Sequence, residues 1–98
     1  MTVTKKLNGD TLTVCPVGRI DSTTTDTLGD FLAENFTADI KTLILDMSGV
    51  DFISSKGLRL IITVYKELNG RTLEITGANT SVTEVLTLSG FARFITVK

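Results

Sequence analysis

The sequence contains no histidine and only one cysteine among its 98 residues. Without histidine, the chain cannot build a Ser-His-Asp triad, a Cys-His dyad or an imidazole metal site. The single cysteine, Cys15, cannot form an intrachain disulfide, and its strand-like neighbours favour a buried structural thiol over a reactive one. Any catalysis would have to rely on carboxylates, lysines or serines alone, and we predict no catalytic residues, no metal site and no bound cofactor.

Long apolar runs and a strong net charge are also missing. No apolar stretch approaches the roughly 20 residues that span a bilayer, and residues 1–6 lack the apolar segment of a signal peptide. The formal net charge of −1 creates no general attraction to nucleic acid or to an anionic membrane. These absences predict a cytoplasmic protein with no direct nucleic-acid partner and no membrane insertion.

The hydrophobic pattern predicts one α/β domain over residues 1–98, because 42% apolar and 21% charged residues are typical of a globular chain. Apolar runs and turn residues predict five strands, at residues 2–7, 11–17, 42–47, 71–76 and 94–97. Helical spacing predicts three helices, at residues 22–36, at 55–69, and a third that Thr80 or Ser81 caps and that Ser89-Gly90 ends. The resulting order is β-β-α-β-α-β-α-β, with parallel β-α-β units.

Several local features refine this pattern. Residues 18–21 follow the second strand and are expected to leave the sheet, and Asp21 or Ser22 is expected to cap the first helix. The short apolar run at residues 42–47 is typical of a central strand covered on both faces. Gly70 is expected to end the second helix.

The segment from Asp46 to Leu58 carries the most information about function. A buried-looking strand ends in Asp46, a short turn follows, and Ser54 and Ser55 stand where an amphipathic helix begins. Hydroxyls at a helix N-terminus lie among unpaired N–H groups at the positive end of the helix dipole, which is a favourable place for a phosphate. The serines can be plain helix caps or a regulated pair, and one hydroxyl can cap while the other is modified.

Four segments in order resemble the STAS domain family, and within it the stand-alone anti-sigma factor antagonists of bacteria. They are Gly18-Arg19-Ile20-Asp21, Leu45-Asp46-Met47-Ser48-Gly49-Val50, Phe52-Ile53-Ser54-Ser55-Lys56-Gly57-Leu58 and Leu88-Ser89-Gly90-Phe91. The third segment resembles the family's phospho-acceptor loop, and matching it position by position places the acceptor at Ser55. The aspartate common before the acceptor is Ser54 here, and the small residue common after it is Lys56.

The resemblance implies a STAS-type domain with a mixed sheet of about five strands and helices packed mainly on one side. It implies a regulator that binds a GHKL-type serine kinase acting as an anti-sigma factor, is released by phosphorylation of Ser55, and is restored by a PP2C-type phosphatase. Asp21 and Asp46 end neighbouring strands, so we expect both near the same rim as Ser55. The predicted partner-binding residues are Asp21, Asp46, Ser54, Ser55, Lys56, Gly57 and Arg59.

Two other functions remain open from the sequence. The first is a STAS subunit of a lipid-transport or signalling complex that never meets a sigma regulator. The second is a small enzyme with Ser55 as nucleophile, although only Lys56 lies near it to act as a base. Asp21 and Asp46 can equally be a helix cap and a turn ligand, and Arg59 a solvated helix residue.

Overall fold

The chain forms a six-stranded sheet and three α-helices in the computed structural model, which describes all residues from 1 to 98. The strands are β1 (Thr2–Asn8), β2 (Thr11–Ile20), β3 (Thr42–Asp46), β4 (Val50–Ile53), β5 (Thr72–Thr76) and β6 (Thr96–Val97). The helices are α1 (Thr25–Asn35), α2 (Ser55–Leu68) and α3 (Thr80–Leu88), and a 3-10 turn covers Phe91–Arg93. No helix combines the length and the apolar character needed to cross a bilayer.

The strands lie in the order β1-β2-β3-β5-β6, and β4 pairs with β2 outside this row. β1 and β2 form an antiparallel hairpin, whereas every other pairing is parallel. Each parallel connection except the short one from β3 to β4 passes through a helix, as β-α-β units require. The predicted α/β class with a mixed sheet is confirmed.

The sequence did not predict β4, and the prediction that residues 18–21 leave the sheet is wrong for residues 18–20. β2 continues to Ile20, and its last three residues pair with β4. Gly18 has a φ of +116°, and the register shifts between Gly18 and Arg19. Such a bulge bends a strand, and β2 thereby pairs with β3 along its first half and with β4 along its second half.

The helices cover one face of the sheet. Buried residues alternate with half-buried ones along β3, β5 and residues 11–16 of β2, and the buried residues of these strands are Leu12, Val14, Pro16, Ile20, Leu43, Leu45, Leu73 and Ile75. Thr13, Ile44 and Glu74 form one row across the opposite face and are only half-buried. The central position of β3 is confirmed, but the prediction that it is covered on both faces is wrong.

Helix α2 matches its predicted range to within one residue, while the caps of the other helices differ from prediction. Helix α1 begins at Thr25 and has Thr24 as its N-cap instead of Asp21 or Ser22. Helix α3 is capped by Asn79, whose side-chain oxygen accepts from the N–H of Val82 at 2.8 Å. Helix α2 has Asn69, with a φ of +51°, as its C-cap, and the predicted stop Gly70 follows it with a φ of +91°.

Candidate functional site

Ser54 is the N-cap of helix α2. Its Oγ accepts a hydrogen bond from the backbone N–H of Gly57 at 3.1 Å, and its carbonyl accepts the first helical bond from Leu58 at 2.9 Å. Its own N–H donates to the carbonyl of Ile20 at 2.8 Å, which fixes the start of α2 to the end of β2. A serine in this position satisfies one of the orphan donors of the helix.

Ser55 is the first residue of α2, and its side chain is exposed. Because Ser54 makes the cap bond, the hydroxyl of Ser55 is not needed to begin the helix. The N–H groups of Ser55 and Lys56 have no acceptor within the helix, since the helical ladder begins at Leu58. An exposed hydroxyl therefore stands beside two open backbone donors and the exposed Lys56.

Gly57 lies beneath this surface and is buried. A Cβ at this position would lie 2.6 Å from Cγ2 of Ile20, 3.0 Å from the Ile20 carbonyl oxygen and 3.0 Å from Cγ1 of Ile53. No larger residue fits without moving the helix, so Gly57 allows α2 to approach β2 and β4 closely. Because Gly57 is itself buried, its role in the site is to position Ser55.

Asp21 lies next to the helix start, directly after Ile20. Its Oδ1 accepts hydrogen bonds from the Thr23 N–H at 2.9 Å and the Thr23 hydroxyl at 2.7 Å. These bonds, the hydroxyl first, hold the pKa of the Asp21 carboxyl below its usual value. Arg19 Nε lies 3.6 Å from Asp21 Oδ2. The carboxylate thus stays ionised and organises the turn into α1.

Asp46 lies elsewhere, and the expectation that it shares a rim with Asp21 is wrong. Its Oδ1 accepts from the N–H of Ser48 at 3.0 Å, and this bond and the Ser48 hydroxyl lower the pKa of the carboxyl. Its Oδ2 lies 3.8 Å from Sγ of Cys15, a half-buried thiol on the open face of the sheet, not the fully buried one expected.

Asp46 is separated from the start of α2 because β4 lies between β3 and α2 along the chain. Asp46 is level with Cys15 of β2, whereas Ser54 is level with Ile20 at the far end of that strand. The five residues from Cys15 to Ile20 would span on the order of 15 Å in a straight strand, and the bend at Gly18 shortens this separation. The structure therefore brings Asp21, Ser54, Ser55 and the first turn of α2 together and leaves Asp46 apart.

Arg59 is exposed on α2 and lines a shallow groove between α1 and α2. Lys56 lines the same wall, and Asp26 and Asp30 line the α1 wall. The ion pairs of the molecule join Arg19 to Asp21 and Lys98 to Glu74, so no carboxylate oxygen lies within 4.0 Å of Arg59. Arg59 is a free cation next to the serine pair.

Sequence reasoning missed a contact between Arg19 and Phe52. The two residues pair across β2 and β4, and the guanidinium carbon lies 4.5 Å from the ring centroid. The apolar residues of Val50-Asp51-Phe52-Ile53 were the only local sign of the strand, and they do not indicate its pairing with β2. The contact is a cation–π interaction that holds Arg19 beside Asp21.

The site has the chemistry of a modifiable docking surface. It offers an exposed hydroxyl, two open N–H donors and two free cations, and no group of three thiol or carboxylate side chains converges to hold a metal ion. Nothing at Ser55 resembles the hydrogen-bonded base of an activated nucleophile.

Comparison with known proteins identifies the family and the fold of the chain. The family model described as STAS domain matches residues 2–98. An anti-sigma factor antagonist from Mycobacterium paratuberculosis superposes with a TM-score of 0.89 at 21% identity, covering 98% of this chain and 83% of that one. The anti-sigma factor antagonist SpoIIAA in its unphosphorylated form gives a TM-score of 0.83 at 16% identity over 99% and 88% of the two chains.

The phosphorylated form of the Bacillus cell fate determinant SpoIIAA is also similar. It gives a TM-score of 0.76 at 15% identity and covers 99% of this chain and 91% of that one. Identities at this level establish the shared fold. A comparison with curated protein sequences gives no match.

Proposed function

Because the chain belongs to the STAS domain family, we propose that it is an anti-sigma factor antagonist. It binds a kinase-type anti-sigma factor through the surface around Ser55, and phosphorylation of Ser55 releases it. The observation that carries the proposal is that the two serines have different roles. Ser54 caps α2, whereas Ser55 is exposed and makes no cap bond. Two of the similar solved proteins are described as anti-sigma factor antagonists, and one of them, SpoIIAA, is also described in a phosphorylated form.

In the unphosphorylated state, the partner would contact the exposed first turn of α2 and the adjoining end of β2. Ser55, Lys56 and Arg59 supply a neutral hydroxyl and two cations, and Asp21 supplies a fixed carboxylate beside them. Asp46 accepts a hydrogen bond from the N–H of Ser48, and we assign it to the turn after β3 instead of the centre of this contact. Docking of the antagonist frees the sigma factor for transcription.

Phosphorylation would change the surface and leave the fold intact. A phosphoserine carries about −1.5 to −2 charges at neutral pH. At the start of a helix, this charge interacts favourably with the dipole, by roughly 0.3–1 kcal/mol. The open N–H groups of Ser55 and Lys56 can donate to its oxygens. We therefore expect α2 to stay folded after phosphorylation.

The same charge would disrupt a fitted interface. A dianion in a docked contact must either be desolvated without a partner or meet acidic groups of the kinase, and an unpaired buried charge costs several kcal/mol. A loss of about 4 kcal/mol weakens binding roughly a thousandfold. A PP2C-type phosphatase would restore binding by hydrolysing the phosphoester.

A phosphorylation assay tests the proposal. The purified protein is incubated with ATP and an anti-sigma factor kinase of the same organism, and the modified residue is identified by mass spectrometry. We expect one phosphate on Ser55, none in the Ser55→Ala variant, and tight binding of that variant to the kinase in the presence of ATP.

Ser54→Ala is the matched control, since it removes the neighbouring hydroxyl and leaves Ser55 in place. We expect this variant to be phosphorylated. Phosphate on Ser54 in the parent protein, or no incorporation at all with a stable association to a membrane-transport complex instead, would contradict the proposal.

A further inference from the structure

Arg59 lies one helical turn beyond Ser55 on the same exposed side of α2. Residues four apart on a helix have Cβ atoms about 5–6 Å from each other, and an acidic group that precedes a basic one at this spacing is the favourable orientation. Both side chains are exposed, and α2 is continuous from Ser55 to Leu68. A phosphate on Ser55 therefore lies within reach of the guanidinium.

Arg59 also has no competing partner. No carboxylate oxygen lies within 4.0 Å of it, although Asp26 and Asp30 line the opposite wall of the groove. Two other arginines of the molecule are engaged: Arg19 lies over Phe52 and beside Asp21, and the half-buried Arg71 donates to the carbonyl oxygen of Ile40 at 2.9 Å. Arg59 is thus available to a new anion.

We propose that Arg59 is the intramolecular counter-ion of phosphorylated Ser55. The planar guanidinium can donate two parallel hydrogen bonds to phosphate oxygens, which a lysine cannot do. Lys56, at the next position along the chain, adds screening from the groove side.

With this ion pair, phosphorylation of Ser55 changes the docking surface in two ways. Before phosphorylation, Arg59 projects freely from the docking surface and can pair with an acidic group of the partner. After phosphorylation, the surface gains a dianion and loses this cation, because the guanidinium is held by the phosphate. The consequence for partner binding rests on the proposed function, whereas the ion pair itself can be measured on the protein alone.

The test uses full-length protein with phosphoserine introduced at position 55 during translation, so that no kinase is needed. The second ionisation of the phosphate, near pH ~6, is followed by ³¹P NMR at about 0.1 M salt in the parent and in Arg59→Gln. We expect Arg59→Gln to raise the titration midpoint by about 0.3 pH unit, because the dianion loses its counter-ion.

Lys66→Gln is the matched control. Lys66 is an exposed cation near the end of the same helix. Eleven residues beyond Ser55, it lies about 16 Å away, outside the screening length of roughly 10 Å at 0.1 M salt. Its removal makes the same change in net charge, and we expect a shift under about 0.1 pH unit.

Equal midpoints in the parent and Arg59→Gln, or equal shifts in the two variants, would overturn the pairing. Either result would leave the kinase reaction at Ser55 untouched, since that reaction is read by mass spectrometry. Conversely, failure of a kinase to modify Ser55 would leave this titration interpretable.

Discussion

Gly57 shows how a single residue sets the geometry of the site. An added Cβ would lie 2.6 Å from Ile20 Cγ2 and 3.0 Å from the Ile20 carbonyl oxygen, and backbone cannot yield as a flexible side chain can. The absence of a side chain thus lets α2 pack close to the end of β2. The sequence identified this glycine through a resemblance, but its physical role became evident only when β2 and β4 were seen beneath it.

Gly57→Ala should destabilise the protein although alanine is the better helix former. Overpacking of this kind costs about 1–3 kcal/mol, which exceeds the gain of up to ~1 kcal/mol in helix propensity. The free energy of unfolding from urea titration measures the balance.

Gly29→Ala in α1 is the control for this prediction. There the nearest atom to an added Cβ is Cδ1 of Leu60 at 3.3 Å, the end of a flexible side chain. We expect this variant to be at least as stable as the parent. A Gly57→Ala protein as stable as Gly29→Ala would show that close packing at Gly57 is not required.

Among the elements, α2 was the most predictable and β4 the least. Helix α2 has a strong apolar stripe, a serine cap and a clear stop, so its range followed from the sequence to within one residue. β4 has four residues and lies between a turn and a helix cap, and its alternation is too short to separate from a loop. Its pairing with β2 is a long-range choice that no local pattern encodes.

The two serines at the start of α2 allow a prediction about the stability of this helix. Ser54→Ala should lower the free energy of unfolding by about 1 kcal/mol, since the N–H of Gly57 loses its acceptor. Ser55→Ala should change it by less than about 0.5 kcal/mol, as expected for an exposed side chain without a cap bond. Thermal and urea unfolding of both variants measure the difference. A larger loss for Ser55→Ala would reverse the roles assigned to the two serines.

In the whole molecule, the path of the sheet decides which residues can act together. The buried residues of all three helices join one core cluster on the same face of the sheet, and β2 carries two successive parallel partners. The order of strands and helices was predictable because apolar runs, turn residues and helical spacing are local. The position of Asp46 was not, because it depends on β4 extending the chain beyond β3 before α2 begins.

This architecture also explains why a phosphate can act without unfolding the protein. The first turn of α2 projects at the end of β2 and β4, and Ser55 is exposed there, while the apolar core of 19 residues lies behind Gly57 and Ile53. A charge added at this edge meets solvent, the helix dipole and free cations. It does not enter the core, so its cost arises only when a partner covers it.

The most direct test compares the stability and the partner affinity of the protein with serine and with phosphoserine at position 55. We expect the thermal midpoint to stay the same or to rise by up to about 5 °C. We expect the dissociation constant for the anti-sigma factor kinase to rise roughly a thousandfold. A fall in the midpoint of about 5 °C or more, or an unchanged dissociation constant, would contradict the claim that Ser55 controls docking through charge while the fold stays intact.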